Sequence, residues 1–162
     1  MKMRATTHTF SLSRGGLTGP QASGASRDPS LCPTILIVED DKEIVEAVSL
    51  ALVMRWPNAH IVSTHLGESG LALVKRLHPD VVLLDLGLAD MDGFEVLQRV
   101  RRWSDVPVVI LTVRSDDADV LEGRRRGAND YIVKPFRHSE LVARVGALLP
   151  PAGRLGEHRL SS

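Results

Sequence analysis

The chain has 162 residues, a formal net charge of zero, and 43% hydrophobic and 25% charged residues. This length suits one globular domain with a hydrophobic core and excludes a second full domain. The single cysteine, Cys32, excludes an internal disulfide and a cysteine metal cluster, so a reducing compartment is the simplest expectation. No apolar stretch is long enough for a signal peptide or a membrane span, and we therefore expect a cytoplasmic protein.

Three segments differ in composition. Residues 1–32 are rich in Ser, Thr, Gly and Arg and lack hydrophobic periodicity, which predicts a disordered N-terminal extension. Residues 33–149 carry the apolar pattern of a folded domain and are net acidic, whereas residues 150–162 form a short polar tail that we expect to be flexible. The acidic folded part argues against DNA binding by this chain.

Short apolar runs alternate with amphipathic segments from residue 34 onward. The predicted strands are Ile35–Val38, His60–Ser63, Val81–Leu84, Val108–Leu111 and Tyr131–Val133. The predicted helices are Ile44–Met54, Glu68–Leu77, Gly93–Trp103, Asp116–Arg126 and Ser139–Leu149. Three strands (ILIV, VVLL and VVIL) are apolar at every position, which is typical of a parallel sheet with helices on both faces. The pattern predicts an α/β fold, a doubly wound five-stranded parallel sheet in the flavodoxin-like order 2-1-3-4-5.

Residues with helix-boundary preferences accompany these segments. Asp116 and Ser139 are predicted N-caps, because short polar side chains accept hydrogen bonds from the first amides of a helix. Gly127 is a predicted C-terminal stop.

Polar residues collect where the predicted strands end. Glu39 and Asp40 follow the first strand, Asp85 the third, Thr112 the fourth and Lys134 the fifth. In such sheets ligands bind beyond the carboxyl ends of the strands, where the strand order reverses. Two carboxylates about 4 Å apart repel by roughly 4 kcal/mol at an effective dielectric of 20, so a cation must join them, and oxygen ligands favour Mg²⁺. A carboxylate nucleophile with a metal, an ammonium and a hydroxyl suits a phosphoryl group.

Four sequence motifs occur in order, ILIVEDD at 35–41, PDVVLLDLGLADMDGFEVL at 79–97, VPVVILT at 106–112 and GANDYIVKPF at 127–136. With these motifs the chain resembles bacterial response-regulator receiver domains over about residues 34–149, and most of all the receivers of winged-helix transcription factors. The resemblance implies a phosphorylation-controlled switch of a two-component phosphorelay, with a sensor histidine kinase as donor, and not an enzyme. It leaves open a stand-alone receiver or a truncated transcriptional regulator.

The resemblance also implies a metal site around the phosphoacceptor. Asp85 matches the phosphorylated aspartate and a metal ligand, and Asp40 matches a direct ligand of Mg²⁺. Glu39 is expected to act through metal-bound water, and the backbone carbonyl of Gly87 to complete the protein ligands. Asp41 is an extra acid without an assigned role.

The remaining site residues match the family's switch. Thr112 corresponds to the hydroxyl that moves toward the phosphoryl group, and Tyr131 to the aromatic that turns inward behind it. Lys134 matches the family's lysine, and its bond to Pro135 is expected to be cis. Asp92 begins the third helix in the family's manner and is expected to be an N-cap rather than a ligand.

Receivers of this class dimerise through the fourth helix, fifth strand and fifth helix, where Asp130 and Arg144 are expected to form an ion pair between subunits. Val120 stands where a basic partner of Glu140 is usual, so the face departs from the family pattern. An aspartyl-phosphate phosphohydrolase is an alternative, but its second aspartate is replaced by Gly87. A pseudo-receiver docking module is another, although every site position is filled.

Two further residues depart from the family pattern beside the expected site. Ala89 replaces a usual proline four residues after Asp85, which predicts a slightly looser loop. Val113 follows Thr112, where a smaller residue is usual, and its branched side chain should restrict access to the phosphoryl group.

Overall fold

Five parallel strands form the centre of the computed structural model, which describes residues 32–150. The expected extension at 1–32 and tail at 150–162 therefore lie almost wholly outside the described residues. The strands are β1 (Thr34–Val38), β2 (His60–Thr64), β3 (Val81–Leu84), β4 (Val108–Thr112) and β5 (Asp130–Val133). The helices are α1 (Lys42–Arg55), α2 (Gly67–Leu77), α3 (Gly93–Arg101), α4 (Asp117–Arg125) and α5 (His138–Leu148).

The sheet has the order β2-β1-β3-β4-β5, and every neighbouring pair is parallel. The predicted α/β fold and strand order are thus confirmed. Strands β3 and β4 are buried at every position because helices cover both faces. Leu36, Leu84 and Ile110 belong to the core cluster on one face, and Ile37 and Leu83 to the cluster on the other.

All five predicted helices are present, and most of their ends differ from the prediction by one or two residues. Asp92 is the N-cap of α3 and accepts from the Phe94 amide at 2.8 Å, as predicted. Gly127 ends α4 with a φ of +97°, a conformation that suits glycine. The prediction of Ser139 as an N-cap was wrong, because α5 begins at His138 and Arg137 occupies the N-cap position without a side-chain hydrogen bond to the helix.

Helix α4 is the least buried helix of the domain, with Gly123 its one fully buried residue. Its ends are held by cation–π contacts to Phe94 of α3. The Arg114 guanidinium lies 5.9 Å from the ring centroid before α4, and that of Arg126 lies 5.2 Å away after it. Between residues 32 and 150, no helix has the length and apolar character required to cross a bilayer.

Candidate functional site

The carboxyl ends of β1 and β3 lie side by side at the point where the strand order reverses. Val38 at the end of β1 is paired with Leu84 at the end of β3. The Asp85 amide donates to the Val38 carbonyl oxygen at 2.9 Å, and the Glu39 amide donates to that of Thr64 at 2.9 Å. Backbone pairing therefore places the acids that follow β1 beside the acid that follows β3, as the strand order predicted.

Three carboxylates converge at this edge of the sheet. Glu39, Asp40 and Asp85 bring carboxylate oxygens within 4.8 Å of one another. Glu39 is 3% exposed and Asp85 is 7% exposed, whereas Asp40 is exposed to solvent. Burial raises the pKa of Glu39, and nearby Asp85 raises it further, while hydrogen bonds from Lys134 and the Asp41 amide act in the opposite direction. Three acids therefore share a site in which burial disfavours the charged form of Glu39.

Lys134 is the cation that the described residues place in this cluster. Its Nζ donates to Glu39 Oε2 at 2.5 Å and lies 3.6 Å from Asp85 Oδ1, and the side chain is 10% exposed. The expected cis peptide bond between Lys134 and Pro135 is present. The Lys134 amide also donates to the Thr112 carbonyl oxygen at 2.8 Å, which joins the ends of β5 and β4. One ammonium leaves three carboxylates only partly neutralised.

The donor chemistry of the cluster fits a hard divalent cation. All of the converging side-chain ligands are carboxylate oxygens, which Mg²⁺ prefers, and the exposed Asp40 leaves a route from solvent. The backbone at Gly87 passes close by, since a Cβ built on this glycine would lie 3.6 Å from Asp85 Oδ2. Asp41 has a different role, because its Oδ1 accepts hydrogen bonds from the Glu43 and Ile44 amides and caps α1.

Thr112 and Tyr131 both engage the loop between β4 and α4. Thr112 is 1% exposed at the end of β4, and its Oγ1 accepts from the Arg114 amide at 3.4 Å. Tyr131 is 7% exposed, and its hydroxyl donates to the Arg114 carbonyl oxygen at 2.9 Å. Burial, with a smaller contribution from Asp119, raises the pKa of this hydroxyl. This loop is therefore hydrogen-bonded to both residues that match the switch positions of the family.

Two side chains near the site were missed at the sequence level. Asp90 accepts hydrogen bonds from the first amides of α2, and the Arg114 guanidinium forms an ion pair with Asp92 at 3.0 Å. Their partners lie more than twenty residues away in sequence. No local pattern marks either residue, because acids and arginines in polar loops are usually solvated.

The fold and the site together define a class of α/β domains in which a buried carboxylate, a lysine and a candidate metal site meet at the switch point of a parallel sheet. The chain belongs to the response regulator receiver domain family, whose model matches residues 35–146. Proteins of this family are typically switches and not enzymes.

Curated relatives support the same assignment. The chain is 43% identical over 118 residues to the transcriptional regulatory protein AfsQ1 of Streptomyces coelicolor, covering 72% of this chain and 51% of the relative. It is 44% identical over 115 residues to the DNA-binding response regulator MtrA of Mycobacterium tuberculosis, covering 71% and 50%. The chain thus spans about half the length of these relatives, and the matched part is a two-component receiver domain.

Solved receiver structures have the same architecture. The BeF3-activated N-terminal receiver domain of Klebsiella pneumoniae RstA has a TM-score of 0.68 at 30% identity, covering 73% of this chain and 99% of that one. The BeF3-activated DrrB receiver domain has a TM-score of 0.65 at 34% identity, covering 72% and 97%.

Proposed function

We propose that the domain, residues 33–149, accepts a phosphoryl group on Asp85 from the phosphohistidine of a sensor histidine kinase. The observation that carries the proposal is the meeting of three carboxylates within 4.8 Å of one another, beside a lysine whose Nζ lies 3.6 Å from Asp85 Oδ1. In the transfer, an Asp85 carboxylate oxygen forms a bond to phosphorus as the bond between phosphorus and the imidazole nitrogen breaks. The electron pair of that bond stays with the departing imidazole.

The residues around Asp85 would divide the work of charge neutralisation. Asp40, Asp85 and the Gly87 carbonyl would hold Mg²⁺, with Glu39 acting through bound water. When bound, the ion would offset the negative charge of the carboxylates and of the phosphoryl oxygens. The Lys134 ammonium would add a second positive charge beside the phosphoryl group, because its Nζ lies 3.6 Å from Asp85 Oδ1 and its side chain is 10% exposed.

The proposed readout is a change in the surface formed by α4, β5 and α5. Thr112 would move toward the phosphoryl group. Tyr131 would move with it, because the side chains of both residues are hydrogen-bonded to the Arg114 backbone. A change at the phosphoacceptor would thus reach the loop that precedes α4. The function is a switch in protein association, with slow self-catalysed loss of the phosphoryl group.

The same surface is a candidate homodimer face. Leu121 of α4 is 61% exposed and Val133 of β5 is 36% exposed. The expected partners Asp130 and Arg144 already pair within one chain at 2.7 Å. A dimer would therefore exchange an internal ion pair for one between subunits. Analytical ultracentrifugation of the protein with and without beryllofluoride tests the dimer, and an unchanged monomer would refute it.

The proposed phosphoacceptor is tested by labelling with a phosphorylated kinase or acetyl phosphate in the presence of Mg²⁺. Wild-type protein should become labelled and Asp85→Asn should not, because the amide is not a nucleophile. Asp40→Asn should weaken Mg²⁺ binding, since a hard cation loses an anionic ligand. Asp41→Asn is the matched control, because Asn also caps helices well and Asp41 lies in the same acidic run. Equal labelling of Asp85→Asn would overturn the assignment.

For this chain, we propose a cytoplasmic location and no direct contact with DNA or membrane. The net acidic charge of residues 33–149 supports the absence of DNA contact. The MtrA relative is named a DNA-binding response regulator, but this chain covers only 50% of that protein. Sequence-selective DNA binding by this chain at physiological salt would overturn the proposal.

A further inference from the structure

The loop between β3 and α3 carries Gly87 and is closed tightly at its base. The Gly93 amide donates to the Leu86 carbonyl oxygen at 3.0 Å, and Gly87 forms an isolated bridge with Asp92. A Cβ built on Gly93 would collide with the Asp85 carbonyl oxygen and lie 2.7 Å from the Leu86 Cα. The base of the loop therefore depends on a close backbone approach that only glycine permits.

The tip of the same loop is fastened to α2 by one side chain. Asp90 Oδ1 accepts from the Gly67 amide at 2.8 Å, and Asp90 Oδ2 accepts from the Glu68 amide at 3.0 Å. The residue at the N-cap position of α2, Leu66, provides no side-chain hydrogen bond. Asp90 thus replaces the missing local cap, and both of its oxygens are used.

Packing beneath this tether keeps the loop close to α2. A Cβ built on Gly67 would lie 2.7 Å from Met91 Cγ and 2.7 Å from Val96 Cγ2, so Gly67 lets the loop approach the helix. Although burial acts in the opposite direction, the hydrogen bonds from Glu68 and Gly67 lower the pKa of Asp90. The carboxylate is therefore ionised at neutral pH and suits the positive end of the α2 dipole.

We infer that Asp90 is a positioning residue for the metal site, holding the loop of residues 86–92, and with it the Gly87 backbone, in place before the ion binds. This inference rests on the proposed function. The loop needs such a restraint because Ala89 leaves the backbone freer than a proline would at that position. A ligand that is already placed loses less conformational entropy on binding, so the tether should strengthen Mg²⁺ binding without touching the ion.

Removal of the tether should therefore appear as weaker metal binding in the unphosphorylated protein. Asp90→Ala should bind Mg²⁺ about tenfold more weakly, the lower end of the effect typical of residues that orient metal ligands. Asp90→Asn keeps one acceptor oxygen and should fall between wild type and Asp90→Ala. Ala89→Pro in the Asp90→Ala background should recover part of the affinity, because proline restricts the loop by an independent route.

The experiment is an NMR titration with MgCl2, with the amides of Gly67 and Glu68 reporting whether the tether is present. Asp116→Ala is the matched control, since it removes one acid from an N-cap position that makes no side-chain hydrogen bond. Its affinity should stay within about twofold of wild type, as expected for an exposed charge screened by solvent. A folded Asp90→Ala protein with wild-type Mg²⁺ affinity would overturn the inference, and so would equal losses in both alanine variants.

The double variant separates positioning from a general loss of stability. If Ala89→Pro restores urea stability to Asp90→Ala but not Mg²⁺ affinity, the role of Asp90 is structural and the inference is wrong. A wild-type protein that binds no Mg²⁺ would instead overturn the proposed metal site, and the role of Asp90 with it. The wild-type titration thus distinguishes the two failures.

Discussion

Replacement of Lys134 by methionine tests whether the lysine holds the acidic site together. Glu39 and Asp85 have side chains 2% and 9% exposed, and their carboxylate oxygens lie within 4.8 Å of each other. At an effective dielectric of 20, two unit charges at that distance repel by about 3.5 kcal/mol. Removing one partner of a buried ion pair typically costs about 3–5 kcal/mol. We therefore expect Lys134→Met to lower the free energy of unfolding by about 3 kcal/mol at pH 7 without Mg²⁺.

Divalent cations and protons should both reduce this loss. Saturating Mg²⁺ supplies positive charge to the same carboxylates, so the difference from wild type should shrink. Burial raises the pKa of Glu39 above its ordinary value of 4.5, and loss of the Lys134 hydrogen bond should raise it further. A carboxyl with a raised pKa in the folded state weakens folding as the pH rises from 4.5 through that pKa. The difference between variant and wild type should therefore be small below pH 4.5 and largest near neutrality.

Urea unfolding followed by circular dichroism measures these differences. A loss of about 3 kcal/mol should lower the urea midpoint by roughly 1 to 2 M in EDTA. The control is Lys75→Met, which removes a solvent-exposed lysine that contacts the Trp103 ring and should change stability by less than about 1 kcal/mol. A Lys134→Met loss below 1 kcal/mol, or a loss that Mg²⁺ does not reduce, would refute the reasoning.

Two further predictions concern the loops around the site, and a third concerns the end of α3 at the opposite edge of the sheet. Val113 is 73% exposed beside Thr112. Val113→Ala should accelerate the decay of the phosphorylated protein, on the order of a hundredfold if the valine displaces an attacking water by about 1 Å. An unchanged half-life at equal Mg²⁺ would show that Val113 does not restrict the approach of water. Gly93→Ala should destabilise the fold by about 1–3 kcal/mol in thermal unfolding, because its Cβ would collide with the Asp85 carbonyl oxygen; wild-type stability would contradict this packing. Arg101→Met should cost about 2 kcal/mol, since its guanidinium donates to the Gly127 and Ser104 carbonyl oxygens and to Asn129 Oδ1; a loss below 0.5 kcal/mol in urea unfolding would show that these hydrogen bonds contribute little.

The sheet and the acidic site could be predicted from sequence because each depends on a local pattern. Strands such as β3 are apolar at every position, and Asp85 follows directly after one of them. Since parallel strands align their carboxyl ends, the order β2-β1-β3 brings Asp85 beside Glu39 without further information. The convergence of the carboxylates thus follows from topology.

The parts that could not be predicted depend on contacts between distant residues. Asp90 lies on an exposed loop, and its hydrogen bonds to the first amides of α2 join residues more than twenty positions apart in sequence. Ser139 has the right chemistry for an N-cap, yet α5 begins at His138 with Arg137 at the N-cap position. Capping preferences describe averages over helices, and helix ends vary by one or two residues around the position that a capping residue suggests.

The shallow packing of α4 has an energetic consequence for signalling. Full burial of a Leu- or Phe-sized side chain contributes roughly 1.5–3 kcal/mol, and α3 has Phe94 and Leu97 whereas α4 has Gly123 as its one buried residue. Displacing α4 therefore gives up little hydrophobic free energy, and its amides should exchange with solvent hydrogen before those of α3. A coupling free energy of about 1–3 kcal/mol, typical of allosteric proteins, would be enough to redistribute such a helix among several positions. Partners that bind this face would therefore contact the helix whose displacement costs the least hydrophobic free energy.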